Sequence, residues 1–145
     1  IAHGSAGLTL AKALTVYETF GEADVPDDGQ RYFVVSPAGW ADLLQVDQFS
    51  RAEYVGEMDL PYAGGMTAKR WMGFLFFTHS GLTVASSNRD CHAWHSSAVG
   101  LASGSDVRTE MNYVPEKVSN LITSYFSSGA VEIDGNGLIQ CIIAE

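Results

Sequence analysis

Apolar positions along the chain switch between two spacings, a helical one of about 3.6 residues and a strand-like one of 2. Between Leu8 and Phe20, Leu10, Leu14 and Tyr17 fall at i, i+4 and i+7, which predicts a first helix stopped by Gly21. The acidic turn EADVPDDGQ (22–30) follows, carrying Pro26 and Gly29. RYFVVS (31–36) reads as a short strand buried on both faces. Ser36-Pro37 then starts a second helix, with Ser as N-cap and Pro at the first helical position. Its apolar members Trp40, Leu43 and Leu44 would pack on the sheet.

Residues 48–68 show neither period and are rich in Gly and acid, which predicts a long loop of the kind that carries function or contacts. Strand character resumes in KRWMGFLFFT (69–78), with Phe74 and Phe76 on one face and Leu75 and Phe77 on the other. Ser80-Gly81 and SSNRD (86–90) are turns. CHAWH (91–95) alternates, so Cys91, Ala93 and His95 point one way and His92 and Trp94 the other. Ser96 or Ser97 would cap a short helix, Ala98–Ala102, closed by Gly104.

Alternation returns in DVRTEMNY (106–113), placing Asp106, Arg108 and Glu110 on one face and Val107, Thr109 and Met111 on the other. The strongest helical pattern comes next. Val118, Leu121, Ile122, Tyr125 and Phe126 fall at i, i+3, i+4, i+7 and i+8, with Pro115 and Glu116 suited to the first turn and Gly129 to the stop. AVEID, the turn DGNG (134–137) and LIQCIIA then read as a terminal hairpin. These elements predict an α+β protein, with a mixed or antiparallel sheet and two or three helices packed on it.

Length and composition narrow this to one globular unit over 1–145. The chain has 145 residues, 46% apolar and 17% charged, enough for one domain with a real core. Its longest apolar run, Trp71–Phe77, is interrupted by Gly73 and falls far short of the ~20 residues a spanning helix needs, so no membrane partner is expected. The chain begins at Ile1 without an initiator Met or a secretory pattern, so an upstream portion is expected. Net charge is −9, and the first sixty residues are the more acidic part. Lys and Arg form no cluster that would release phosphate counterions, which argues against direct DNA or RNA binding. Cys91 and Cys141, fifty positions apart, are expected to be buried thiols in a reducing compartment.

The stretch CHAWHSS (91–97) invites a chemical reading. On a strand, however, His92 faces away from Cys91 and His95. The latter two lie about 13 Å apart at ~3.3 Å per residue, too far for one ion. Cys91 as a nucleophile would need His79 or His95 as base and an acid such as Asp90 or Asp106, yet no helix N-terminus or basic cluster lowers its thiol pKa. No phosphate loop, GxGxxG after a strand, GxSxG or HExxH occurs. Asp27-Asp28 reads as a solvated turn rather than a calcium loop. No metal and no cofactor is expected.

Taken in order, several segments resemble the C-terminal half of tailed-phage major capsid proteins. They are RYFVVSPAGWADLL (31–44), AEYVG (52–56), AKRWMGFLFFTHSGL (68–82), HSSAVGLASGSDVRTEMNYVPEKV (95–118) and SSGAVEIDGNGLIQCII (127–143). The resemblance covers nearly the whole chain. It implies the capsid fold shared with encapsulins: an axial domain, plus part of a peripheral domain whose long helix and long strands meet neighbouring capsomers. The N-terminal arm and extended loop of family members have no counterpart in these residues. In that light CHAWHSS is a strand-to-helix step with a structural role.

The implied function is a structural subunit of an icosahedral phage or prophage head. The implied partners are copies of itself in pentamers and hexamers, with scaffolding and portal proteins, assembling in a bacterial cytoplasm. Subunit contacts are expected at Arg51, Tyr54 and Tyr62 in the loop and at Asp106, Arg108 and Glu110 on the charged strand. An encapsulin-like compartment shell is the alternative within the same fold. A thiol hydrolase or metalloprotein using Cys91, His79 and His95 is the alternative from another class.

Overall fold

A computed structural model describes residues 1–2, 4–51 and 68–144. The first helix, α1, spans Leu10–Glu22, and Thr9 caps it by accepting the Lys12 N–H. Its buried stripe is Ala13, Val16 and Phe20, whereas Leu14 and Tyr17 are nearly half exposed. The helix is where the spacing put it, but turned so that the larger apolar stripe faces outward. The deciding factor is the fit of Val16 and Phe20 into the aromatic core, where Phe20 meets Phe74 edge-on at 5.2 Å.

Strand β1 (Arg31–Val35) leads into α2 (Pro37–Leu44), where the Ser36 hydroxyl accepts the Gly39 N–H at 3.0 Å and Pro37 sits in the first turn. A single turn, α3 (Asp47–Ser50), follows. Strands β2 (Ala68–Trp71) and β3 (Phe74–Thr78) are separate and antiparallel, so the expected single strand over 69–78 is a hairpin. Met72 and Gly73 turn it with φ of 50° and 78°, the double positive φ of a two-residue hairpin turn. Ser86 and Ser87 repeat the device with φ of 50° and 68°, joining β4 (Val84–Ala85) to β5 (Asn88–His95).

The strands of the main sheet run β2-β3-β1-β5-β4, with β8 (Leu138–Ala144) also paired to β5. Because β8 and β1 both pair along residues 92–94, they flank opposite edges of β5. The β1–β3 pair is parallel and the others are antiparallel, so the sheet is mixed. The parallel step needs a crossover, and α2 lies in it. One face of the sheet carries Phe33, Val35, Phe74, Phe76, Cys91, Ala93, Cys141 and Ile143 into a core completed by Val16, Phe20, Trp40, Leu43 and Phe49. The other face is half-buried, with Trp94 stacked on Tyr32 at 5.7 Å and edge-on to Phe77 at 5.9 Å.

Residues 99–132 depart most from expectation. No α-helix forms over 115–128, where only a 3-10 turn, Pro115–Lys117, is helical. Instead β6 (Val99–Val114) and β7 (Ser119–Glu132) pair along their whole lengths as an antiparallel ribbon separate from the main sheet. The composition accounts for this: β7 is rich in Ser, Thr, Ile, Tyr and Phe, poor helix formers that suit a pleated surface. Helical spacing of its apolar residues was outweighed by sixteen residues of β6 available to pair with it. The expected short helix Ala98–Ala102 is also absent. A 3-10 turn, Ser96–Ala98, leads directly into β6. Nor does β8 pair with β7; another 3-10 turn, Gly135–Gly137, returns the chain to the main sheet.

Candidate functional site

CHAWHSS turns out to be the root of this ribbon. Burial alternates along β5: Cys91, Ala93 and His95 are buried, and His92 and Trp94 are half-buried on the opposite face. His95 then caps the 3-10 turn. Its Nδ1 accepts the Ser97 N–H at 3.2 Å and lies 2.7 Å from the Ser97 hydroxyl. A backbone N–H can only donate, so Nδ1 is unprotonated and Nε2 carries the ring hydrogen. Nε2 donates to Asp28 Oδ1 at 3.0 Å, tying the turn before β1 to the ribbon root. This hydrogen bond, with a second from the Gln30 N–H, holds the Asp28 carboxyl below its ordinary value.

Serine, histidine and aspartate here stand in the order of a hydrolase triad. The imidazole lone pair, however, is shared with a backbone N–H, as a capping residue's acceptor is. The serine follows its histidine by two residues inside one turn. The group fastens the root.

Across the root, Ala98 C=O accepts N–H bonds from Ile133 at 2.8 Å and Asp134 at 3.3 Å. Gly137 approaches so closely that a Cβ there would lie 2.6 Å from the Ala98 Cβ. The two 3-10 turns thus clamp the ribbon's entry and exit strands together.

Beyond the root the ribbon runs into solvent. Direct pairing of Met111 with Ile122, Thr109 with Ser124 and Tyr113 with Asn120 puts these residues on one face. Alternation places Phe126 there too, and the Thr109 and Ser124 hydroxyls bond at 2.9 Å. The other face carries Arg108 opposite Tyr125 and Glu110 opposite Thr123, and the Tyr125 hydroxyl donates to Glu110 at 3.2 Å. Register shifts between Ser103 and Arg108 bend the ribbon near its middle. At the tip, Val118 has φ of 46° and is 80% exposed, a left-handed conformation rare for a β-branched residue.

The expected contact residues fall into three groups. Asp106, Arg108 and Glu110 are exposed on β6, and Arg108 forms no ion pair with either acid among the described residues. Arg51 is exposed and paired with Asp47 at 2.8 Å. Tyr54 and Tyr62 lie outside the described residues. Sequence spacing missed the apolar ribbon residues Ile122, Tyr125 and Phe126, having assigned them to a helix face.

The residues proposed for thiol or metal chemistry are not brought together. Cys91 is fully buried in the core, while His79 is exposed past the end of β3, accepting the Gly81 N–H at 3.0 Å. Among the described residues, no three of His, Cys, Asp and Glu lie where they could hold one metal ion.

Among the described residues the most extended exposed feature is this long, partly apolar ribbon, a surface rather than a cleft. The chain belongs to the phage capsid protein family, whose model matches residues 1–145. Among solved structures, a chain from Mycobacterium phage Che8 superposes with a TM-score of 0.75 at 19% identity, covering 96% of this chain and 51% of that one. A chain in the capsid structure of cyanophage P-SCSP1u gives 0.67 at 18% identity, with 94% and 46% covered. A virus-like particle from Pyrococcus furiosus gives 0.58 at 12% identity, with 98% and 54% covered. At these identities the likeness is one of fold, and the chain spans about half the length of these solved chains. No curated protein matches the chain.

Proposed function

We propose that this chain is part of a structural subunit of an icosahedral phage or prophage head, and that copies lock together partly through the β6–β7 ribbon. One observation carries the reading. At ~3.3 Å per residue a ribbon of this length extends on the order of 45–50 Å. It does so with Met111, Ile122 and Phe126 exposed on one face. A two-stranded hairpin in water is marginal at best, and contiguous exposed apolar surface marks an interaction site. Repeated contacts of one chain with its copies are how closed shells are built. Family membership supports the same reading, as does a net charge of −9, which suits an inner wall that should not trap packaged DNA.

Within this reading Asp106, Arg108 and Glu110 contribute polar contacts, Arg51, Tyr54 and Tyr62 contribute contacts from the segment before β2, and assembly takes place in the bacterial cytoplasm with scaffolding and portal proteins. The role calls for no catalytic residue and no cofactor. An encapsulin-like compartment has only the fold likeness to the Pyrococcus particle behind it, and the phage reading is preferred. Negative-stain microscopy of the full-length protein, alone and with its scaffolding partner, is the test. Closed shells of uniform diameter are expected; small oligomers that never close would overturn the proposal.

A further inference from the structure

Cys91 on β5 and Cys141 on β8 stand directly opposite one another, and both are completely buried. The whole ribbon lies between them in sequence, so only the sheet register brings them together. Backbone direction fixes the kind of pair they form. The Ile142 and Ala144 N–H groups point outward, to Ile1 C=O at 2.9 Å and Ala6 C=O at 3.1 Å. Alternation therefore turns the polar groups of Cys141 inward, toward β5.

Such a hydrogen-bonded antiparallel pair holds its Cα atoms about 5.5 Å apart, within the ~4.4–6.8 Å that a disulfide spans. Its Cβ atoms lie near the wide end of ~4.5–5.5 Å, whereas the bond needs ~3.5–4.5 Å. Closure must then draw β8 inward by about an ångström. On its outer edge β8 pairs with no strand and is held by the terminal segment, so Ile1 and Ala6, whose C=O groups accept from Ile142 and Ala144, must follow it in that shift.

We propose that Cys91 and Cys141 are a latent cross-strand disulfide, closed by exchange with a small-molecule disulfide such as oxidised glutathione when the protein leaves a reducing compartment. One cysteine thiolate attacks a sulfur of the oxidant and expels one glutathione thiolate, giving a mixed disulfide. The second cysteine, losing its proton, attacks the protein-side sulfur and expels the other. Two electrons pass from the cysteine pair to the oxidant, and the two released protons leave with the two reduced glutathione molecules. Burial raises the Cys141 thiol pKa, so exchange waits on local opening of β8 and is slow. The inward shift stores strain, which makes the bond readily reducible: a reversible latch. Closed, it fastens β8 to β5 beside the ribbon root. The occasion for closure rests on the shell reading; the chemistry does not.

The unaltered full-length protein, purified with reductant, should be incubated with graded ratios of oxidised to reduced glutathione, quenched by alkylation and digested without reduction. The expected result is a peptide linking Cys91 to Cys141 within one chain, lighter by two hydrogens and reversed by dithiothreitol. Cys91→Ser and Cys141→Ser should each abolish it. Native protein that keeps both thiols, or forms only intermolecular or glutathione-mixed disulfides at every ratio, overturns the latch. If shells assemble normally while the link never forms, the latch fails and the shell reading stands. A link in protein that never forms shells does the reverse.

Discussion

At the scale of single residues, two buried cations organise the body. Arg31 is 4% exposed, lies 5.7 Å from the Phe20 and Phe74 ring centroids, and donates to the C=O of Pro26 at 3.0 Å and to that of Val25. It thereby fixes the acidic turn against the core. Lys69, also buried, donates to Phe49 C=O and sits 4.6 Å from that residue's ring centroid. Neither role is visible in the sequence, where both look like ordinary strand-flanking charges. Replacing Arg31 by Met should lower stability by about 1.5–3 kcal/mol, the worth of hydrogen bonds from a charged group. A lowered urea midpoint at unchanged m would show it.

Asp28 makes a second prediction at this scale. Its carboxyl is held low in the folded protein, chiefly by the His95 hydrogen bond and next by the Gln30 N–H. A depressed folded pKa favours the folded state above the unfolded value, and that contribution is lost as pH falls through the folded one. Asp28→Asn should therefore flatten the acid limb of the stability profile below the ordinary aspartate range. Chemical denaturation across pH 2–7 would measure it; wild-type and variant curves that stay parallel on the acid side would refute the assignment.

Among elements, the ribbon and its root behave differently. Gly137 has almost no space beyond its Cα, because the Ala98 Cβ it would meet is rigidly fixed to the backbone. Gly137→Ala should cost about 1–3 kcal/mol through forced displacement of the root turns. A drop in the thermal midpoint would show it. On the ribbon itself the opposite holds. Phe126 is 67% exposed, so Phe126→Asp should change the stability of the isolated chain by no more than about 0.5 kcal/mol. The same change should abolish assembly if the apolar face is a contact. Normal shells from that variant would remove this face from the interface.

At the scale of the whole molecule, shape and charge act together. The body is compact and the ribbon projects from one end of β5, so contacts made through the ribbon would be distant from the core that positions it. Arg108 stands on the ribbon without an ion pair to Asp106 or Glu110, available to a carboxylate on another copy. Arg108→Glu in the full-length protein should impair head assembly while leaving the far-ultraviolet circular dichroism unchanged. Particle yield in a sedimentation gradient would measure the loss, and an undiminished yield would exclude this contact.

What the sequence determined by itself was local. Alternation in CHAWH placed Cys91 and His95 on one face and His92 on the other, since side chains on a strand have a fixed period of two. Ser36-Pro37 began α2 because capping depends only on neighbouring residues. Ordered segments also carried the capsid resemblance, which the family match bears out. Tertiary structure decided whatever depended on a distant partner. The apolar spacing of 118–126 fits a helix face, and only pairing with β6 made it a strand. The stripe of α1 that faces inward followed from the shape of the core, not from which residues are most apolar. The meeting of Cys91 with Cys141 rests on the register of β5 and β8. Short-range periodicity holds no information about register, because register is set by which surfaces can be buried together.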